Sequence, residues 1–130
     1  MIDEEFNQPW WNIVHYMNLP KKYSQDVGDF LRSQFPSRAL QDRYSNDLRH
    51  QYASAVVARN LGENTAKRLG NIMEAIDYVS APGDSRIDQI NNEIGRRYAK
   101  KYPTLEKSAF LNKLFEDHEK NVQYRNSRLK

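Results

Sequence analysis

Asn46-Asp47-Leu48-Arg49-His50-Gln51-Tyr52-Ala53 opens a helix that is expected to run to about Leu61. On a helical wheel, Leu48, Tyr52, Ala55 and Val56 fill one side. Val57, Ala58 and Leu61 spread over the other, and alanines fill most gaps. A helix that is apolar nearly all round is buried, so this one is expected at the centre of the fold. It nevertheless carries Asn46, Arg49 and His50, which share one face with Ala53 and Val57. Polar side chains inside a protein need partners, and a buried charge needs them most.

A second helix offers those partners. Asp88, Asn91, Asn92 and Gly95 stand at i, i+3, i+4 and i+7, beside an apolar stripe of Ile87, Ile90, Ile94 and Tyr98. Each polar face ends in a small residue, Ala53 or Gly95, which lets two backbones approach closely. The two faces are expected to meet, with Arg49 and His50 opposite Asp88 and the two asparagines. Glu74 supplies a further carboxylate. It lies off the stripe of Ala66, Leu69, Ile72, Met73, Ile76 and Val79 on a third helix.

Outside these helices the chain reads as follows. Residues 1–9 form a polar lead-in. Pro9-Trp10-Trp11 through Met17 is aromatic, with Trp10, Trp11 and Tyr16 expected to clamp it on the core. Ser24 is the expected cap of a helix reaching Gln34, with Val27, Phe30, Leu31 and Phe35 as its stripe. A helical segment from about Ser37 to Tyr44 leads into the central helix. Gly62 suits its C-terminus. Asp84 or Ser85 is the expected cap after Ala81-Pro82-Gly83, and Tyr102-Pro103 is a stop. Thr104 is then the expected cap of one long last helix using Ala109, Phe110, Leu114 and Phe115. Residues 120–130 hold basic residues and no acid, which reads as a C-terminal tail. No alternation lasts long enough for a strand. The expected fold is an all-α, single-domain bundle (1–130) of about six helices around a buried central helix at about 46–61.

A chain of 130 residues at 38% apolar composition suits one modest core. It has no cysteine, which excludes disulfides and thiolate zinc sites. The acidic start Met1-Ile2-Asp3-Glu4-Glu5 lacks a basic n-region, so no signal peptide is expected. No apolar run is long enough to span a bilayer. Net charge is +3, and the charges interleave as on an ordinary solvated surface.

The polar residues also carry a resemblance. Asn46, Arg49, His50 and Tyr52, then Glu74, then Asp88, Asn91, Asn92, Gly95 and Arg96 resemble a family of small, uncharacterised helical domains of phage and bacterial proteins. That pattern covers roughly residues 46–97. It often has His before the Glu, where this chain has Met73. If that His were a metal ligand or a base, its replacement removes the activity.

Three function classes follow. A buried polar network would use Arg49 paired with Asp88 or Glu74 and would fix helix register. An enzyme would use His50 as general acid–base, oriented by Glu74 or Asp88. Arg49 would then stabilise an anion, and Asn46, Asn91 and Asn92 would bind substrate. A metal version would ligate through His50, Glu74 and Asp88. His15 and His118 sit apart from this cluster, and Glu116-Asp117-His118-Glu119 reads as a solvated face. A nucleic-acid binder would use Arg96, Arg97, Lys100, Lys101 and the tail. The leading expectation is a structural or interaction protein with protein partners or self-assembly. No metal or cofactor is expected, and catalysis is the lesser expectation. The resemblance implies a phage setting, hence a virion or the host cytoplasm.

Overall fold

A computed structural model describes residues 20–68, 70 and 82–130, with side chains at 23–68, 70 and 86–130. Expectations for the 1–9 lead-in, His15, the Trp10–Trp11–Tyr16 segment, Met73 and Glu74 lie outside these residues. All secondary structure among the described residues is helical. In chain order the helices are α1 (Pro20–Gln34), α2 (Arg38–Leu61), α3 (Pro82–Lys101), α4 (Lys107–Glu116) and α5 (His118–Leu129). A further helical stretch at 63–68 follows α2.

Helix α2 is the axis of the bundle, and its closest neighbours are α3 and then α1. It runs without a break from Arg38, so the segment predicted before Tyr44 is its first part. Leu48, Tyr52, Ala55 and Val56 are each at most 1% exposed, as their shared side of the wheel requires. They pack with Tyr23, Val27 and Leu31 of α1, Ala99 of α3, and Phe110, Leu111 and Leu114 of α4. Burying each of the larger aliphatic or aromatic side chains contributes about 1.5–3 kcal/mol. The helix is not buried on every side. Val57, Ala58 and Leu61 are half-buried, and most residues before Asn46 are exposed.

An aromatic corner closes one end of this core. Phe35 and Tyr44 stack at 5.3 Å, and Phe115 meets both edge-on. His118 stands edge-on to Tyr44 at 4.7 Å. Offset and edge-to-face pairs of this kind add to simple burial.

Helix ends follow their local chemistry with some shifts. Gly62 ends α2 at φ +90°, and its N–H bonds the Ala58 carbonyl at 2.9 Å. Helix α1 starts at Pro20 rather than at Ser24, because proline is pre-set for a first helical turn. Likewise α3 starts at Pro82, which places Asp84 and Ser85 inside its first turn. Helix α3 stops at Lys101, before the Tyr102-Pro103 break. The N-cap of α4 is Glu106 instead of Thr104.

The last helix departs most from expectation. It is two helices, broken at Asp117, whose φ of −91° and ψ of 6° leave the helical range. The Asp117 carboxylate accepts the Tyr98 hydroxyl at 2.6 Å and sits 3.8 Å from Lys113. Ala109 is exposed, and Leu111 takes the core position. Residues 120–129 are not a trailing tail but most of α5, packed against α3.

Candidate functional site

Helices α2 and α3 run in the same direction, since the partners Asn46–Asp88, Gln51–Asn91 and Arg59–Tyr102 keep nearly constant separation. Gly95 makes their close crossing possible. A Cβ there would lie 2.8 Å from the Gln51 carbonyl carbon and 3.0 Å from its Cα, and would overlap its carbonyl oxygen. Ser54 donates to the Asn92 carbonyl at 2.9 Å one turn further on. The expected crossing of α3 with the central helix is therefore present, but turned by one residue. The face of α2 that meets α3 is Asn46, Asp47, His50, Gln51 and Ser54. Gly95 sits on Gln51 rather than on Ala53.

Two carboxylates organise the polar groups at this crossing. Asp88, on α3, accepts the Asn46 amide at 3.2 Å and lies 3.3 Å from His50 Nε2. The His50 side chain is 27% exposed and that of Asp88 is 12% exposed. Arg49 makes no hydrogen bond or ion pair with His50 or Asp88. Its Nε is buried and has no hydrogen-bond partner among the described residues. The predicted His50–Asp88 meeting is therefore present, while Arg49 joins neither asparagine nor Asp88.

Asp47, one residue from Asn46, is the denser centre. Its Oδ1 accepts Arg125 at 2.6 Å and the Asn91 amide at 2.9 Å. Its Oδ2 lies 3.1 Å from His118 Nε2. Asn91 is fully buried and links the clusters, accepting Gln51 Nε2 at 3.0 Å through its own oxygen. Burial by itself pushes Asp47 up. The His118 hydrogen bond, the Arg125 charge and the Asn91 and Arg125 hydrogen bonds outweigh burial and hold it below its ordinary value.

His118 is thus 6% exposed and part of the site, not on a solvated face. The break at Asp117 turns it inward against Tyr44 and Asp47. Asp47, Gln51, Ser54, His118 and Arg125 were all outside the expected site. A signal for them exists: Asp47, Gln51 and Ser54 stand at i, i+4 and i+7, and His118, Asn121 and Arg125 at i, i+3 and i+7. Each set is a polar stripe at helical spacing.

Among the described residues no three His, Asp or Glu side chains could share a metal. His50 and Asp88 are the two described members of the expected ligand set. Glu74 lies outside the described residues.

On the other side of α3, a groove of about 210 Å³ runs between α3 and α5. Ile94, Arg97, Tyr98, Lys101, Lys120 and Tyr124 line most of it. Arg97, Lys100 and Lys101 are exposed, as the basic-cluster reading requires. Arg96 is not: it is 9% exposed, turned inward, where Glu93 and Glu63 favour its charge against the cost of burial.

No helix among the described residues is long and apolar enough to cross a membrane. A family model described as "Domain of unknown function (DUF6973)" matches residues 11–122. No match is found among curated proteins or among solved structures.

Proposed function

The chain belongs to this family of unknown function, and we propose that it serves as a small structural or interaction protein of phage type, a component of a virion or a related assembly. The supporting observation is that polar residues of the α2–α3 crossing bond one another across three helices, although Gln51 Oε1, His118 Nδ1 and Arg125 Nε are buried without a hydrogen-bond partner among the described residues. Asn91 is fully buried and bonds Asp47 and Gln51. Asp47 meets Arg125, Asn91 and His118 at once. A network so engaged specifies one helix register. It yields a stiff block of the kind that repeats in an assembly. The phage setting, and a place in the virion or host cytoplasm, rest on the resemblance of Asn46, Arg49, His50, Asp88, Asn91, Asn92 and Gly95 to the phage and bacterial pattern.

Light scattering on the purified chain across micromolar concentrations tests this, with sedimentation alongside phage particles. A closed oligomer or co-sedimentation supports the reading. A monomer at tens of micromolar that never accompanies particles sinks it.

A second reading draws on the Asp88 corner. His50 keeps an edge in solvent beside Asp88, and the buried Arg49 Nε has no hydrogen-bond partner among the described residues. A hydrolase or toxin-like effector would use His50 as general base, Asp88 to orient it and Arg49 against a developing anion. This reading requires His50→Ala to abolish hydrolysis of an ester or envelope polymer without lowering the melting temperature. A variant that melts far below the wild type returns His50 to the structural network.

A further inference from the structure

We propose that the groove between α3 and α5 binds the phosphate backbone of duplex nucleic acid, without reading its sequence. The inference stands on the groove itself and does not require that the chain assemble.

Three exposed cations line the groove: Arg97 and Lys101 from α3, one turn apart, and Lys120 from α5. None of the three has a carboxylate within ion-pair distance among the described residues. Two nearby acids are engaged elsewhere, while Glu119, next to Lys120 in sequence, is exposed. Asp117 is held by Tyr98 and Lys113, and Glu93 by Tyr124 and Arg128. Lys100 adds an exposed charge beside Lys101.

The neutral polar groups of the groove are also engaged. The Tyr98 hydroxyl donates to Asp117 and the Tyr124 hydroxyl to Glu93. Asn121 donates to Tyr98. What remains available to a ligand is the N–H donors of three cations. Cationic donors of this kind suit a repeating polyanion, and phosphate contacts position a nucleic acid without specifying bases.

The Tyr124 face is not an open stacking platform. Arg97 lies over the Tyr124 ring at 4.8 Å, and Arg128 approaches the same ring at 5.8 Å. Bases splayed from a single strand need open aromatic faces, so the duplex is favoured. An acidic peptide would also need an anchoring pocket. The one aliphatic residue of the lining, Ile94, is 2% exposed and offers none.

Fluorescence anisotropy with two unrelated 20-base-pair DNA duplexes, from 50 to 200 mM salt, tests the assignment. The expected result is micromolar binding, equal for both sequences. The affinity should fall with a log–log salt slope of about −2 to −3, as three phosphate contacts imply. Lys101→Gln should reduce that slope by about 1. Arg97→Gln with Lys101→Gln and Lys120→Gln should weaken binding at least tenfold at an unchanged melting temperature, whereas Arg38→Gln, outside the groove, should not. The proposal is overturned by no binding at 100 μM protein in 50 mM salt, or by a triple variant that binds as wild type. Tighter binding of single strands or of polyglutamate than of duplex overturns it equally.

Discussion

Two histidine–aspartate pairs sit at one helix crossing with equally covered carboxylates and differ in how far their histidines reach solvent. His118 and Asp47 lie 3.1 Å apart with side chains 7% and 13% exposed. Arg125, Asn91 and the Tyr44 ring enclose them. His50 and Asp88 lie 3.3 Å apart, but His50 is 27% exposed and Asn46 beside it is exposed. Among the described residues the first pair joins three helices and the second joins two. The same two residue types can therefore act as an internal fastener or as a surface-facing couple, according to what covers them. A histidine beside an aspartate is no evidence of catalysis until the third side of the pair is known.

The largest disturbance would remove the crossing on which both pairs depend. Gly95→Leu should destabilise the chain by more than roughly 3 kcal/mol, or stop it folding, since the Gln51 backbone cannot move aside as a side chain could. Chemical denaturation checks this, and an unchanged midpoint would remove the close approach from the account.

Cutting one carboxylate at a time separates the pairs. Asp47→Ala leaves Arg125 charged with little exposure and His118 without its partner, and should cost about 3 kcal/mol. Asp88→Ala should cost nearer 1 kcal/mol, because solvent reaches His50 and Asn46. Equal losses in urea titrations would erase the distinction between sealed and open.

The histidines give the same contrast at smaller scale. His118→Ala removes a buried bond and a ring contact and should cost about 2 kcal/mol. His50→Ala should fall within about 1 kcal/mol of wild type. A reversed order of melting temperatures would move the structural role to His50.

The smallest effect is one of acidity. Asp47 is held below its ordinary value in the folded chain. The stability that it contributes is complete above the unfolded carboxylate value of about 3.9, and is lost as pH falls through its lower folded value. Asp47→Asn should therefore flatten the acid limb of a stability–pH curve below about pH 4. An acid limb identical to the wild type would show that other carboxylates set it.

Much of the fold could be read locally. The all-round apolar helix, the stop at Tyr102-Pro103 and the glycine after α2 each depend on near neighbours in sequence. The Asp88-Asn91-Asn92-Gly95 face was also legible, because helical spacing alone aligns it. The partner face was misjudged by one residue, since Ala53 offered small size while the true fit is glycine against backbone at Gln51. His118 was hidden for another reason. Its neighbours Glu116, Asp117 and Glu119 are charged, and only the tertiary bond from Tyr98 to Asp117 marks the break that turns His118 inward. Arg125 was likewise obscured by a basic segment that resembled a tail. For contacts 71 and 78 residues apart, the local trace is a polar stripe on each helix, which does not say which stripes meet.

Helix α5 has a consequence for the order in which this protein is made. Asp47 meets His118 and Arg125 only after 71 and 78 further residues have been added. At ordinary translation speeds that is a wait of roughly 4 to 15 seconds. Until then Asn91, 44 residues on, is the earliest made of its three partners, and the carboxylate lacks its two cationic or imidazole neighbours. Synthesis of α5 then completes the set of groups that meet Asp47. A nascent chain stalled before residue 118 would be an open form, recognisable to the chaperones and proteases that survey unfinished proteins.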